Sequence, residues 1–321
     1  MIAEQYRKML DAKSVIRQLS EKATKRAQII GAENVFDYSL GNPSVPAPAE
    51  FKQALLDLIE KEDPMTLHGY SPTLGIPSVK TAIAESLNCR FDMNYEPEHI
   101  FPVSAAAAAI AHALRAVTVP GDEVLTFAPF FPEYHPYVDL TGAVLKVVPA
   151  DTKSFQINFE AFEEMLGPKV ASVLVNTPNN PSGAVYSAET LTKLAEVLTR
   201  KAEEYGHDIF LISDEPYREI VFDGKQQPYV SKFYANTISC YSFSKALSLP
   251  GERIGYLAVN PACPYAAEIV NMCGQISRGI GHNCPTSLMQ LAVSKVLDLT
   301  SDFSVYEKNR NLLYECLTDC G

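Results

Sequence analysis

From about residue 98 onward, short runs of β-branched and other apolar residues alternate with longer stretches of helical spacing. Val124–Phe127 and Val144–Val148 read as strands. Val173–Val175 and Ile209–Ile212 are apolar at every position, as strands covered on both faces must be. Thr237–Tyr241 and Ile254–Val259 complete the set, and Ala105–Val119 and Ala188–Tyr205 carry the helical period between them. Strands alternating with helices predict an α/β fold, a mostly parallel central sheet flanked by helices. Such sheets take their ligands at the carboxyl ends of the strands. The polar loops after residues 175, 212 and 241 are therefore where chemistry is expected.

Outside this region the pattern is helical. Val15, Ile16, Leu19, Ala23, Ala27 and Ile30 form one apolar stripe that stops at Gly31. Residues 12–32 are basic, which faintly echoes an organelle transit peptide, but the stripe favours an ordinary amphipathic helix. Near the other end, one helix is expected from about Thr286 after Pro285, and a second over Ser304–Cys320 with Gly321 as its C-cap.

Composition narrows the function classes. The 321 residues are 47% hydrophobic, enough for one large domain or two ordinary ones. With 27 Lys and Arg against 38 Asp and Glu the net charge is −11, which repels phosphate backbones and anionic membrane surfaces. No nucleic-acid or membrane partner is expected, although one local cationic pocket for a small anion is allowed. No apolar run approaches the ~20 residues of a membrane span, and no signal-peptide core is present, so the expected location is cytoplasmic. The seven cysteines form no CxxC pair and read as free thiols of a reducing compartment. Cys316 and Cys320, four apart on a helix, are expected to pack rather than to bind metal, and the six histidines form no ligand cluster.

Three loops after strands hold an unusual set of residues. Asn176–Gly183 is dense in turn formers and side-chain amides, which alone would read as a surface turn. Ser213-Asp214-Glu215-Pro216-Tyr217 places carboxylates directly after an all-apolar strand, where they must be solvated, paired or bonded to a cation. Tyr241–Tyr256 places Lys245 between serines just past a strand, with Arg253 eight residues on. Each loop alone is weak. Their order, each after a strand, is specific.

With these loops, Gly41-Asn42-Pro43, Tyr70–Gly75 and Pro129-Phe130-Phe131-Pro132-Glu133-Tyr134, the chain resembles the pyridoxal-phosphate enzymes of the aspartate-aminotransferase fold type, the class I/II aminotransferases. The resemblance implies a fold-type I large domain over residues 48–285. It implies an N-terminal arm, part of a small domain, over 1–47, and helices over 286–321 that lead into that small domain. It also implies a homodimer with shared active sites, acting on an α-amino acid and a 2-oxo acid. Lys245 would form the Schiff base with the cofactor aldehyde and then move a proton at the substrate Cα. Asp214 would face the ring nitrogen and keep it protonated. Asn180 and Tyr217 would hydrogen-bond the ring oxygen, and Phe131 would lie on the ring. Arg253, Ser242 and the amides of Ala106 and Ala107 would hold the phosphate, with Tyr70 reaching it from the neighbouring subunit. Gly41 and Asn180 match positions at the substrate.

Two departures from the family pattern stand out. The helix that cups the phosphate usually opens with a glycine and a hydroxyl residue; here the stretch is Ser104 followed by five alanines. Loss of one side-chain hydrogen bond should weaken cofactor retention by roughly 1 kcal/mol. The family also continues for several dozen residues into a small domain that supplies the arginine gripping the substrate α-carboxylate. No counterpart precedes Gly321, so an incomplete small domain and weak activity of the chain as given are expected. The leading function is amino-group transfer by a ping-pong route. The alternatives are a β-eliminating carbon–sulfur lyase on the same cofactor and a catalytically silent binding protein of the same fold. Arg278, in Ser277–Gly281, reads equally as a contact to a substrate carboxylate across a dimer and as an exposed structural arginine.

Overall fold

A computed structural model of the chain describes residues 2–11 and 15–321, in two units that divide after Ser44. The first unit carries helices α1 (Glu4–Asp11) and α2 (Val15–Ile30), followed by a short 3-10 turn over Ala32–Asn34. Residues 12–14, the start of the expected N-terminal helix, lie outside the described residues. Gly31 ends α2 at φ 89°, a left-handed conformation that glycine adopts without penalty.

The second unit begins with α3 (Ala49–Lys61), α4 (Pro64–His68) and α5 (Pro77–Phe91). An alternating series follows: β1 (Ile100–Val103), α6 (Ala105–Val117), β2 (Glu123–Phe127), α7 (Tyr134–Asp139) and β3 (Val144–Val148). It continues through α8 (Phe159–Met165), β4 (Val170–Asn176), α9 (Ala188–Tyr205), β5 (Phe210–Asp214) and β6 (Thr237–Ser242). The last elements are α10 (Phe243–Ala246), β7 (Gly255–Val259), α11 (Ala266–Gly279), α12 (Ser287–Val293) and α13 (Ser304–Cys320).

The strands form one seven-stranded sheet in the order β1-β7-β6-β5-β4-β2-β3. From β6 to β3 every pairing is parallel; β7 runs antiparallel to both β6 and β1. Successive side chains on a strand face opposite ways, and here both faces are buried. Leu174, Ile212, Ile238 and Leu257 pack with α6 and α11. Their neighbours Val173, Val175 and Leu211 pack with α8 and α9 on the other side. Double coverage is the reason Val173–Val175 of β4 and Phe210–Ile212 of β5 are apolar at consecutive positions rather than alternating.

Side-chain caps fix where several helices start. Ser187 Oγ accepts from the Thr190 amide at the start of α9, and Thr286 accepts from Met289 N at the start of α12. The sequence pattern did not indicate β1. Its four residues include Pro102, and an edge position is where a strand tolerates proline. The packing expected of Cys316 and Cys320 is corrected: both thiols are exposed, and α13 buries none of its residues.

Candidate active site

The parallel strands β4, β5 and β6 end at Asn176, Asp214 and Ser242, and all three residues line a single cavity of about 220 Å³. Into the same cavity α6 presents its first residues, Ala105, Ala106 and Ala107. Phe131, Asn180, Tyr217, Lys245 and Arg253 complete the set foreseen for one cofactor. Of the cofactor residues named from the sequence, Tyr70 alone is elsewhere. It is fully exposed and lines a separate depression with Arg278 and Cys284. Gly41 belongs to the first unit.

Local structure explains each placement. At the end of β6, Ser242 turns the chain into the single-turn helix α10, its Oγ accepting from Ser244 N at 3.2 Å and lying 2.7 Å from Ser244 Oγ. That turn carries Lys245 to the cavity wall. Lys245 is half-buried, and burial pulls its ammonium below the usual lysine range. Arg253 follows at φ 52°, with Nη1 donating to Pro250 O at 2.9 Å. After β4 the Asn176–Gly183 loop is knitted by its own amides. Asn180 N donates to Asn176 Oδ1 at 2.6 Å, Ser182 N donates to Asn179 Oδ1, and Asn179 Nδ2 reaches Pro129 O. Asn180 Nδ2 lies 3.4 Å from the Tyr217 hydroxyl, and burial raises the Tyr217 phenol to about 12.

Asp214 is the electrostatic centre of the site. It is buried, and desolvation raises its carboxyl to about 7 against the opposing pull of a hydrogen bond from Tyr134. The Tyr134 hydroxyl donates to Oδ2 at 2.6 Å. Oδ1 is buried with no hydrogen-bond partner. An acceptor left this way is costly unless a ligand donor meets it. Glu215 turns away, as neighbours on an extended chain do. Its carboxylate takes Ser239 Oγ at 3.1 Å and Arg218 Nη1 at 3.1 Å.

Sequence reasoning missed several residues here. Tyr134 was visible only as part of an aromatic run, three residues after Phe131. Tyr137, Ile110, Pro216 and Pro250 line the cavity without a chemical signature. Arg218 and Glu215 form a buried ion pair beside the site, and Glu219 links Arg218 to the exposed Arg90, a set that no single sequence window contains.

Residues 33–315 match the family model for aminotransferase class I and II. The chain belongs to that family. It is 28% identical over 306 residues to an aspartate aminotransferase of Thermotoga maritima, covering 93% of this chain and 76% of the relative. An aromatic-amino-acid aminotransferase of Thermococcus litoralis is also 28% identical, over 91% of this chain and 74% of its own length. Among solved structures, an aminotransferase of Eubacterium rectale superposes with a TM-score of 0.96 at 44% identity, covering 100% of this chain and 81% of that one. This aminotransferase is accordingly a pyridoxal-phosphate enzyme that transfers an amino group between an α-amino acid and a 2-oxo acid by a ping-pong route. The cavity fits the cofactor on its own terms. It offers a buried carboxylate oxygen lacking a donor, an amine, a guanidinium and the amides that open α6.

Proposed function

We propose the following division of labour among the cavity residues, carried by one observation: Asp214 lines the cavity with its Oδ1 buried and unpartnered. Bound pyridoxal phosphate supplies an aldehyde for an amine to condense with and a cationic ring that withdraws electrons from the substrate Cα. Asp214 Oδ1 accepts the ring N–H, and the ring's charge in turn holds the carboxyl ionised. Lys245 Nζ, made less basic by burial, takes and returns the proton at the substrate Cα. Asn180 Nδ2 and the Tyr217 hydroxyl orient the ring oxygen. Phe131 packs against the ring, while Arg253, Ser242 Oγ and the Ala106 and Ala107 amides hold the phosphate. Asn180 contacts the substrate.

On this reading residues 48–285 are the cofactor-binding body, and residues 1–47 and 286–321 lie outside it. Lys245 and Arg253 are the only cations lining the cavity among the described residues, and both are assigned to the cofactor. The substrate α-carboxylate therefore needs a further cation. The protein is a homodimer in which Tyr70 reaches the partner's phosphate; its full exposure, beside Arg278 in a depression apart from the cavity, supports this. No helix among the described residues is long and apolar enough to cross a membrane, and a cytoplasmic location accords with the free cysteines and acidic charge.

The test is a half-reaction screen. Each amino acid is added to the cofactor-loaded chain, and the bound cofactor's visible absorbance is followed together with release of the matching 2-oxo acid. Transfer predicts bleaching that a 2-oxo acid reverses. Release of pyruvate and ammonia, with no amine passed to an oxo acid, would establish the lyase instead.

A further inference from the structure

We propose that Tyr134 is a positioning residue: its phenol holds Oδ2 of Asp214 so that Oδ1 stays turned to the ring nitrogen of the cofactor. The inference rests on the assignment of Asp214 made above and extends it to the residue behind it. A carboxylate can turn about its Cβ–Cγ bond and present either oxygen, or its protonated form. Here the turn is blocked. Tyr134 is wholly buried, and its hydroxyl donates to Oδ2 at 2.6 Å. Asn176 Nδ2, at 2.9 Å, fixes the backbone carbonyl of the same aspartate. The phenol itself cannot drift. Its ring stacks on Phe130, with centroids 6.3 Å apart, and meets Phe131 edge-on at 5.8 Å.

The direction of the bond matters as much as its length. Burial and the nearby carboxylate push the Tyr134 hydroxyl far above its ordinary range, so it remains a donor at any working pH. A donor on Oδ2 favours the ionised carboxylate, against burial, which favours the neutral acid. One stretch, Phe131 to Tyr134, thus supplies both the ring that packs on the cofactor and the group that orients the anion at the cofactor's nitrogen.

The experiment compares binding of pyridoxal phosphate with binding of an analogue carrying CH in place of the ring nitrogen, to the full chain and to Tyr134→Phe. The wild type prefers pyridoxal phosphate. In Tyr134→Phe that preference falls by about tenfold or more, through weaker binding of pyridoxal phosphate alone, as loss of a hydrogen bond to a charged group implies. Equal weakening of both ligands, the result of a merely structural role, overturns the proposal, and so does an unchanged preference. Failure of the wild type to bind pyridoxal phosphate overturns the cofactor assignment itself, and this proposal with it. Should Tyr134→Phe fold poorly, 3-fluorotyrosine placed at position 134 alone is a stronger donor of nearly the same size. It must raise the preference above that of the wild type, and no rise overturns the proposal.

Discussion

Two single residues in the cavity wall are held in states that the fold alone disfavours. Asp214 is raised to about 7 by burial, so its carboxyl favours folding below the ordinary carboxylate range near pH 4. That contribution is lost as the pH rises through 7. Cofactor-free Asp214→Asn should therefore gain on the wild type between pH 4 and pH 8. The gain is a few kcal/mol, since each tenfold change in proton affinity is worth about 1.4 kcal/mol. Urea unfolding at both pH values measures this, and a pH-independent gap contradicts it. Saturating pyridoxal phosphate should reverse the order by stabilising the wild type more. Ala105 is the second case, with φ 71° at the opening of α6. A left-handed alanine costs about 1–2 kcal/mol, so Ala105→Gly should raise the melting temperature or leave it unchanged despite the greater freedom of glycine when unfolded. A clear fall would show that the conformation is not strained. The sequence displayed the alanine run as a departure from the family but could not show that a backbone angle is what makes glycine suitable there. Lys245 and Arg253 were legible because their spacing after a strand is specific. Tyr134 was not, because a tyrosine in an aromatic run looks like core until its hydroxyl has a partner.

Among elements, the strand-to-loop transitions carry the site. Two of the polar loops were readable because the apolar runs Val173–Val175 of β4 and Phe210–Ile212 of β5 give way within one residue to Asn176 and to Ser213-Asp214. What stayed hidden was the ionic chain beside β5 and β6. Arg218 donates to Glu215, Glu219 and the Tyr256 hydroxyl, and lies over the Tyr241 ring at 4.2 Å, while Arg90 closes on Glu219 at 2.8 Å. These partners come from four separate segments, so no sequence window contains them. Arg218→Met keeps much of the side chain's length but leaves Glu215 uncompensated and Glu219 with Arg90 alone. The expected loss is about 3–5 kcal/mol of folding stability at neutral pH, reduced in acid as the carboxylates protonate. Chemical unfolding at pH 7 and pH 5 checks both statements, and a loss under about 1 kcal/mol would contradict them. A second close fit is Gly255, where a Cβ would stand 3.0 Å from Ala105 Cα and 2.2 Å from Tyr241 O. Glycine at that point is what lets the start of α6 approach β7 and β6.

At the scale of the whole molecule, an acidic chain of net charge −11 gathers Lys245, Arg253 and the amide-rich start of α6 around one cavity. The sheet's parallel run was predictable from the alternation of strands and helices; the antiparallel β7 and the edge strand β1 were not, because strand direction is set by connections that periodicity does not record. The shared-site reading predicts a cofactor-loaded particle of twice 35.3 kDa by light scattering, and a monomer would contradict it. The central claim is chemical and is tested most directly by borohydride reduction of the pyridoxal-phosphate-loaded chain, followed by peptide mass mapping. The account predicts a single stable pyridoxyl adduct on Lys245, absent from Lys245→Ala. An adduct on any other lysine, or none on a correctly folded chain, would contradict it.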